Sequence, residues 1–327
     1  MNICVTGGAG YIGSHAVRML EASGHRVTVI DNLSTGHRRH VPEHVPFCEA
    51  STHDEAALVE HFRAHGIEAV MHFAAFSLVG ESVEKPLKYY QNNVEGTRVL
   101  LEAMSTACVK YLVFSSTAAV YGNQAEQPIT ESHRENPENP YGETKLAIEK
   151  MLKWTAARGL IEYVSLRYFN VAGAYHDGSI GEEHDPETHL IPNVLKSVLS
   201  PSTPVQVFGD DYPTADGTCI RDYIHVEDLI DAHIKALNHL LKTGRSDIFN
   251  LGSSSGYSVL EVIKTTEAVL GQPVPYVIKS RRLGDPPVLI ASHDKAAKTL
   301  GWTPRYTLEA MIDSAYRYFR RQQKHDS

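Results

Sequence analysis

The chain has 327 residues, with 39 acidic and 31 basic side chains for a net charge of −8, and is 42% hydrophobic and 21% charged. That length suits one large or two modest domains, and the composition is that of a folded chain, not a disordered one. The acidic balance, without a long Lys/Arg run, speaks against nucleic-acid binding, and no apolar stretch approaches the ~18 residues of a membrane span.

Asn2-Ile3-Cys4-Val5-Thr6 reads as a buried strand and runs directly into Gly7-Gly8-Ala9-Gly10-Tyr11-Ile12-Gly13. No signal peptide is read ahead of it. Ile12, Ala16, Val17, Met19 and Leu20 then recur at helical spacing up to Gly24. His25 to Asp31 predicts a second strand, about Asp54 to His65 a helix, and Glu68 to Phe73 a third strand. One long helix is predicted from Pro86 to Ala107, a fourth strand from Tyr111 to Ser115, a helix from about Tyr141 to Arg158, and a strand from Tyr163 to Tyr168. Such alternation predicts an α/β fold: a doubly wound parallel sheet of Rossmann type, covered on both faces.

Past Asn170 the rhythm breaks. Residues 173–192, rich in Gly, His, Asp, Glu and Pro, read as loop; helices are predicted near Leu190–Leu199, His225–Leu241, Ser258–Leu270, Asp294–Leu300 and Thr307–Arg321. Val205–Phe208 and Phe249–Leu251 read as strands. The expected division is residues 1–170 as a nucleotide-binding domain and 171–327 as a smaller mixed α/β domain, with about 219–250 packing back on the first. Cys4, Cys48, Cys108 and Cys219 lie far apart with no CxxC pair, as expected of reduced thiols in a cytoplasmic protein.

The glycine run sits between a strand and a helix in a βαβ unit, and an acidic residue closes the second strand. In that context the glycines permit a tight turn and close approach of a pyrophosphate, which the helix N-terminus attracts. Asp31 would accept hydrogen bonds from ribose hydroxyls and repel a 2′-phosphate, which selects NAD over NADP. The spacing Gly7-x-x-Gly10-x-x-Gly13 resembles the extended branch of the short-chain dehydrogenase/reductase superfamily. That branch requires a Tyr-x-x-x-Lys pair, and Tyr141-Gly142-Glu143-Thr144-Lys145 supplies it, both side chains on one helix face. A lysine and a positive nicotinamide near the phenol favour phenolate, making Tyr141 a base. Thr117 in Phe114-Ser115-Ser116-Thr117 matches the catalytic hydroxyl, while Ser115 and Ser116 are expected to bond the backbone.

Longer runs narrow the resemblance. His72-Phe73-Ala74-Ala75, Asn92-Asn93-Val94-Glu95-Gly96-Thr97, Asp211-Tyr212-Pro213-Thr214, Arg221-Asp222-Tyr223-Ile224-His225-Val226 and Arg281-Arg282-Leu283-Gly284-Asp285 resemble the UDP-glucose 4-epimerase family, from Asn2 to about Phe319. The resemblance implies an NAD-dependent isomerase that interconverts UDP-glucose and UDP-galactose through a 4-keto sugar, with Tyr141, Lys145 and Thr117 catalytic. It places Tyr11, Ile12, Asn32, Leu33, Ser34, Thr35 and Gly36 beside the NAD pyrophosphate and adenosine, and Phe73, Ala74, Ala75, Asn92 and Phe169 beside ribose and nicotinamide. It gives the UDP-sugar to Asn170, Leu190, Val207, Phe208, Arg221, Arg282 and Asp285, and sets Leu289 beside the sugar 2-substituent.

Some positions depart from the family pattern: Ser77 stands in place of a lysine, Ser51 and Thr52 in place of an aspartate and a bulky aliphatic, and His189 in place of an asparagine near the diphosphate. Competing readings are a broader enzyme that also takes the N-acetylated UDP-sugars, and a non-catalytic NAD-binding module. A dehydratase is disfavoured because Ala118-Ala119 follow Thr117, where that chemistry uses Asp-Glu. The resemblance also implies a homodimer formed through two long helices; Leu100, Leu101, Met104, Met151 and Leu152 fit either that interface or simple core. Of the 18 histidines, His37/His40, His61/His65 and His184/His189 have loose metal-like spacing, but no carboxylate or cysteine pattern is read beside them and no metal is expected.

Overall fold

The computed structural model describes residues 1–200, 202–282 and 285–325; Leu283 and Gly284 of the Arg-Arg-x-Gly-Asp run lie outside the described residues. Strands β1 (Asn2–Thr6), β2 (Arg26–Asp31), β3 (Phe47–Glu49), β4 (Ala69–His72), β5 (Tyr111–Thr117) and β6 (Glu162–Tyr168) alternate with helices α1 (Tyr11–Ala22), α2 (Glu55–Ala64), α3 (Val79–Glu84), α4 (Pro86–Tyr89), α5 (Gly96–Thr106) and α6 (Pro140–Ala157). The remainder carries β7 (Asn170–Ala172), α7 (Leu190–Leu199), β8 (Val205–Phe208), β9 (Ile220–Arg221), β10 (Tyr223–His225), α8 (Val226–Thr243), β11 (Asp247–Leu251), β12 (Tyr257–Ser258), α9 (Val259–Leu270), β13 (Tyr276–Lys279), β14 (Val288–Leu289), α10 (Asp294–Leu300) and α11 (Leu308–His325).

Among the described residues, seven strands form one parallel sheet in the order β11-β6-β5-β4-β1-β2-β3. The chain runs outward from β1 through β3 and returns on the other side at β4. The strand order therefore reverses between β1 and β4, the crevice where open α/β sheets bind ligands. Burial on both sheet faces explains the unbroken apolar runs in β1 and β4. One face packs Ala16, Val17 and Leu20 of α1 against Leu229, Ala236 and Leu240 of α8, with Trp302 filling the same core. The other buries Leu58 and Phe62 of α2 with Leu100, Leu101, Met104 and Leu152 of α5 and α6, and Met151 packs at its margin. Those last five side chains are therefore core within one chain.

The long helix predicted from Pro86 onward is broken by a π-helical turn at Tyr90–Glu95. The turn aims Asn93 inward, where its side chain accepts the Phe76 N–H at 2.9 Å and donates to the Phe76 carbonyl and to Thr144 Oγ1 at 3.0 and 3.3 Å. It thus pins the loop after β4 to α6. Beyond β6, the chain builds smaller parallel pairs, β10 with β7 and β13 with β8, and a three-stranded group in which β9 lies between β12 and β14. Helices α7, α9 and α11 cover them through Leu195, Val262, Met311 and Ile312.

Candidate active site

The site begins in the turn after β1. Gly7 has φ +75°, in the left-handed region that favours glycine, and a Cβ there would lie 2.6 Å from the Ala74 nitrogen. A Cβ on Gly13 would lie 2.0 Å from the Gly7 carbonyl oxygen, so only glycine lets α1 seat on the turn. Helix α1 starts at Gly10 with no side-chain cap and no acidic residue in its first turn. Its first N–H groups and positive dipole end are thus left for an anion. Tyr11 turns its side chain away, donating from its hydroxyl to the Gly173 carbonyl at 2.6 Å.

Asp31 closes β2. Its carboxylate accepts the Ala9 and Leu33 N–H groups at 2.9 and 2.8 Å. Burial pushes its pKa up, and those two hydrogen bonds oppose the rise. Each oxygen keeps acceptor capacity for a further donor. The uncapped helix, the glycine floor and this carboxylate are chemically matched to a dinucleotide. Leu33 follows at φ 56°, Asn32, Ser34 and Thr35 are exposed, and Gly36 packs its Cα so near Ala9 that a Cβ would sit 2.8 Å from the Ala9 carbonyl carbon. Half-buried Ser51 bonds His53 Nδ1 at 2.9 Å, and half-buried Thr52 lies against Gly96.

Across the crevice, the loop after β4 carries Phe73, Ala74 and Ala75, all half-buried, and the exposed Ser77. Phe73 stacks on His233 with ring centroids 4.9 Å apart, while Asn92 in the π-helical turn donates to Asn93 Oδ1 at 3.0 Å. Thr117 ends β5, and its hydroxyl accepts the Ala119 N–H at 3.2 Å. Asn139 caps α6 by accepting the Gly142 N–H at 2.9 Å, which fixes the first turn bearing Tyr141.

Lys145 lies one turn further along α6. Its ammonium donates to the Ser115 carbonyl at 2.8 Å, stands 4.9 Å over the Phe114 ring and is 6.0 Å from the Tyr141 ring centroid. Burial pushes the Lys145 pKa down to about 7, and Glu149 works against the fall. Burial also pushes the Tyr141 phenol up, partly offset by its hydrogen bond with Thr117. In the protein itself, then, desolvation governs the phenol, and the hydroxyl of Thr117 is the group that favours its ionised form. Ser115 and Ser116 differ from expectation: their hydroxyls bond side chains, Ser115 that of Tyr168 and Ser116 that of Glu149 at 2.5 Å. Glu149, buried and paired with the buried Arg167, was not singled out from the sequence, although Tyr141, Lys145 and Glu149 continue one i, i+4 series.

The other wall comes from the C-terminal part. Asn170 donates its side-chain amide to the Asp222 carbonyl at 2.9 Å. Phe169 and Leu289 pack on one cluster made of Ala118, Val120 and Tyr121, from the segment that follows Thr117, with Ile129 and Leu146. Leu289 is also the register partner of Arg221. The Arg221 guanidinium donates to the Ile220 and Pro286 carbonyls at 2.9 and 2.8 Å and pairs with Asp285 at 3.2 Å. Asp222 instead accepts from the Ser253 and Ala291 N–H groups at 2.7 and 3.0 Å. Arg282 is exposed and lies over the Phe208 ring at 3.9 Å, next to buried Val207.

His189 precedes α7 and Leu190 opens it. The His189 imidazole pairs with Glu182 at 2.7 Å and Glu187 at 3.1 Å. Two carboxylates thus accompany the His184/His189 pair, where the sequence reading found none. The two glutamates push His184 up to about 9 and His189 up to about 10, against burial, which pulls both down.

Residues 3–252 match the NAD dependent epimerase/dehydratase family. The UDP-glucose 4-epimerase of Lactobacillus helveticus is 54% identical over 319 residues, covering 97% of this chain and 97% of that protein. The crystal structure of the Stenotrophomonas maltophila UDP-glucose 4-epimerase with bound NAD and formylated UDP-arabinopyranose is similar at a TM-score of 0.96 and 42% identity, covering 99% of each chain. That of the Bifidobacterium longum enzyme in complex with NAD+ and UDP is similar at a TM-score of 0.93 and 40% identity, again over 99% of each chain. A match that runs from β1 to the last helix, over the glycine turn and the Thr-Tyr-Lys cluster alike, means that the chain belongs to the NAD dependent epimerase/dehydratase family and, within it, to the UDP-glucose 4-epimerases.

Proposed function

We propose that the protein interconverts UDP-glucose and UDP-galactose. One observation carries this reading: Thr117, Tyr141 and Lys145 converge where β5 ends, beside the strand-order reversal and across the crevice from Asp31. The chemistry supplied by bound NAD is acceptance of the carbon-4 hydride and its return to the opposite face of the 4-keto sugar, without net consumption. The turn of Gly7, Gly10 and Gly13 and the N-terminus of α1 hold the pyrophosphate, and Asp31 takes the ribose hydroxyls. Tyr141 removes the proton of the sugar 4-hydroxyl and later restores it, with Thr117 bonding the phenolic oxygen. The raised phenol pKa makes positive charge beside it a requirement, which Lys145 and the nicotinamide ring provide. Arg221 and Arg282 anchor the diphosphate with guanidinium forks, leaving the sugar free to turn over. Asn170, Val207, Phe208 and Asp285 complete the nucleotide wall, with His189 and Leu190 at the start of α7.

A regulatory module without catalysis has no use for this hydroxyl, phenol and lysine set. A second reading, slower turnover of the N-acetylated pair as well, is favoured by Leu289, whose side chain leaves more room than an aromatic one. The chain divides in this scheme into a dinucleotide half up to about residue 170 and a sugar-nucleotide half beyond it. Homodimer formation is supported by Val83, Leu87 and Trp154, which are 62%, 80% and 74% exposed on the neighbouring helices α3, α4 and α6. A cytoplasmic setting is supported by four unpaired cysteines. Among the described residues no helix is long and apolar enough to cross a membrane.

Incubation of the purified protein with UDP-galactose, with and without added NAD, tests the proposal. UDP-glucose should accumulate to an equilibrium mixture that is also reached from UDP-glucose. Unchanged substrate under both conditions would overturn it.

A further inference from the structure

We propose that Glu182, His184, Glu187 and His189 form a structural zinc site on the loop leading into α7. The four come from one eight-residue segment, and one ligand atom from each lies within 4.8 Å of all the others. His189 Nδ1 is 2.7 Å from Glu182 Oε1 and 3.1 Å from Glu187 Oε1; His184 Nδ1 is 3.3 Å from Glu182 Oε1 and 3.8 Å from Glu187 Oε2. Tetrahedral zinc, with bonds of ~2.0–2.1 Å, sets its ligand atoms about 3.3 Å apart. The separations here, 2.7 to 3.8 Å for the paired atoms and all within 4.8 Å, bracket that spacing, so side-chain adjustment would let a cation fit between them.

A second observation concerns hydrogen bonding. The side chains of Glu182 and Glu187 are 5% and 3% exposed, yet Glu187 Oε2 and the facing His184 Nδ1 have no hydrogen-bond partner among the described residues. A buried carboxylate oxygen without a donor is costly. A cation between Oε2 and Nδ1 satisfies both. The other oxygen of Glu187 is held in place by the Thr188 and His189 N–H groups, each at 2.8 Å. Two imidazoles with two carboxylates favour zinc over calcium or magnesium, and the two negative charges balance a divalent ion. The protein fills all four positions, which marks a structural site with no open coordination position. The His184 ring packs edge-on against Tyr11 at 6.4 Å. The ion would therefore tie the loop between the first turn of α1 and the start of α7.

The test uses the full chain, stripped with chelator, dialysed and titrated with Zn²⁺ by equilibrium dialysis and elemental analysis. One zinc per chain should bind at micromolar concentration or tighter. His184→Asn and Glu187→Gln should each weaken it at least 100-fold, whereas His65→Asn, at the remote His61/His65 pair, should not. Substitution with Co²⁺ should give the intense visible absorption of a tetrahedral centre. Binding weaker than micromolar, or equal affinity in His184→Asn, would overturn the proposal. Should the variants not fold, the unmodified protein decides: no tetrahedral cobalt band overturns it as well.

Discussion

Lys145 shows how one side chain is tuned by its neighbours. Its ammonium spends one donor on the Ser115 carbonyl, loses solvent to Phe114 and Tyr141, and regains some favour from Glu149 one turn away. The outcome, a pKa pushed down to about 7, leaves it poised between its two forms near neutrality. Tyr141 differs in that burial raises its phenol and the hydrogen bond that works against the rise comes from the Thr117 hydroxyl. Tyr141→Phe therefore removes the reacting oxygen and one hydrogen bond and little else. Its turnover should fall by about 10²–10⁴, the usual size of a lost acid–base group. Affinity for UDP-glucose, read by equilibrium binding, should stay within a few-fold of the parent, and a variant with near-parent turnover would remove Tyr141 from the mechanism. This pair was picked out by the family resemblance, and its i, i+4 spacing on a helix put both side chains on one face. The zinc-site candidates were not: Glu182, His184, Glu187 and His189 lie in a loop, where spacing carries no geometric promise until the backbone path is known.

Elements with a strong period were read correctly, and those without one were missed. Strands β1, β2, β4, β5 and β6 are buried runs bounded by turn residues and fall within two residues of expectation. Strand β3 is only three residues long and mostly half-exposed, and β13 is exposed along its whole length, so neither shows an apolar signal. The π-helical turn at Tyr90–Glu95 escaped for another reason: a single turn of altered hydrogen bonding leaves too little phase shift in the apolar pattern to detect. The two-residue strands β9 and β14 exist only because tertiary pairing holds them, yet their register sets Leu289 beside Arg221. That pairing gives Leu289→Tyr a defined meaning. A ring at this position, packed on the cluster that holds Ala118, Val120 and Tyr121, would under the proposed function narrow the room for the sugar 2-substituent. It should depress turnover of the N-acetylated UDP-sugars relative to UDP-glucose and UDP-galactose by about 10–100-fold, the range for a methylene-scale or larger change in an apolar pocket, ~1–3 kcal/mol. Equal ratios of the two activities in parent and variant would place the control of substrate breadth elsewhere.

At the scale of the whole molecule, histidine is a core residue here. His15 donates from Nδ1 to the Tyr11 carbonyl within α1 and His233 from Nδ1 to the Leu229 carbonyl within α8, while His72 bridges the Thr6 and Thr97 hydroxyls and so joins β1, β4 and α5. Burial lowers His15 and His72 to about 3 and His233 to about 4, and His40, His61 and His225 also fall to about 4. The sign follows directly. A group whose folded pKa lies below its ordinary value is neutral in the fold, and the unfolded chain takes up its proton first as pH drops. Its contribution is complete above pH ~6.5 and is lost progressively as pH falls toward 4 and then 3. Without a bound cation, His184 and His189 act in the opposite sense: raised to about 9 and about 10, they stabilise fully below pH ~6.5 and lose that contribution progressively as pH rises toward 9 and then 10. Stability should therefore peak near pH ~6.5 and decline on either side of it. At pH 4 each of His15, His72 and His233 opposes folding by about 3 kcal/mol relative to neutrality. Together they approach the ~5–15 kcal/mol that holds a typical domain together. Thermal melts across pH 4–10 should show the midpoint falling steeply below pH 6.5, with the chain unfolded at room temperature near pH 4. A melting temperature that stays level from pH 7 down to 4.5 would mean that these rings are not held neutral in the core.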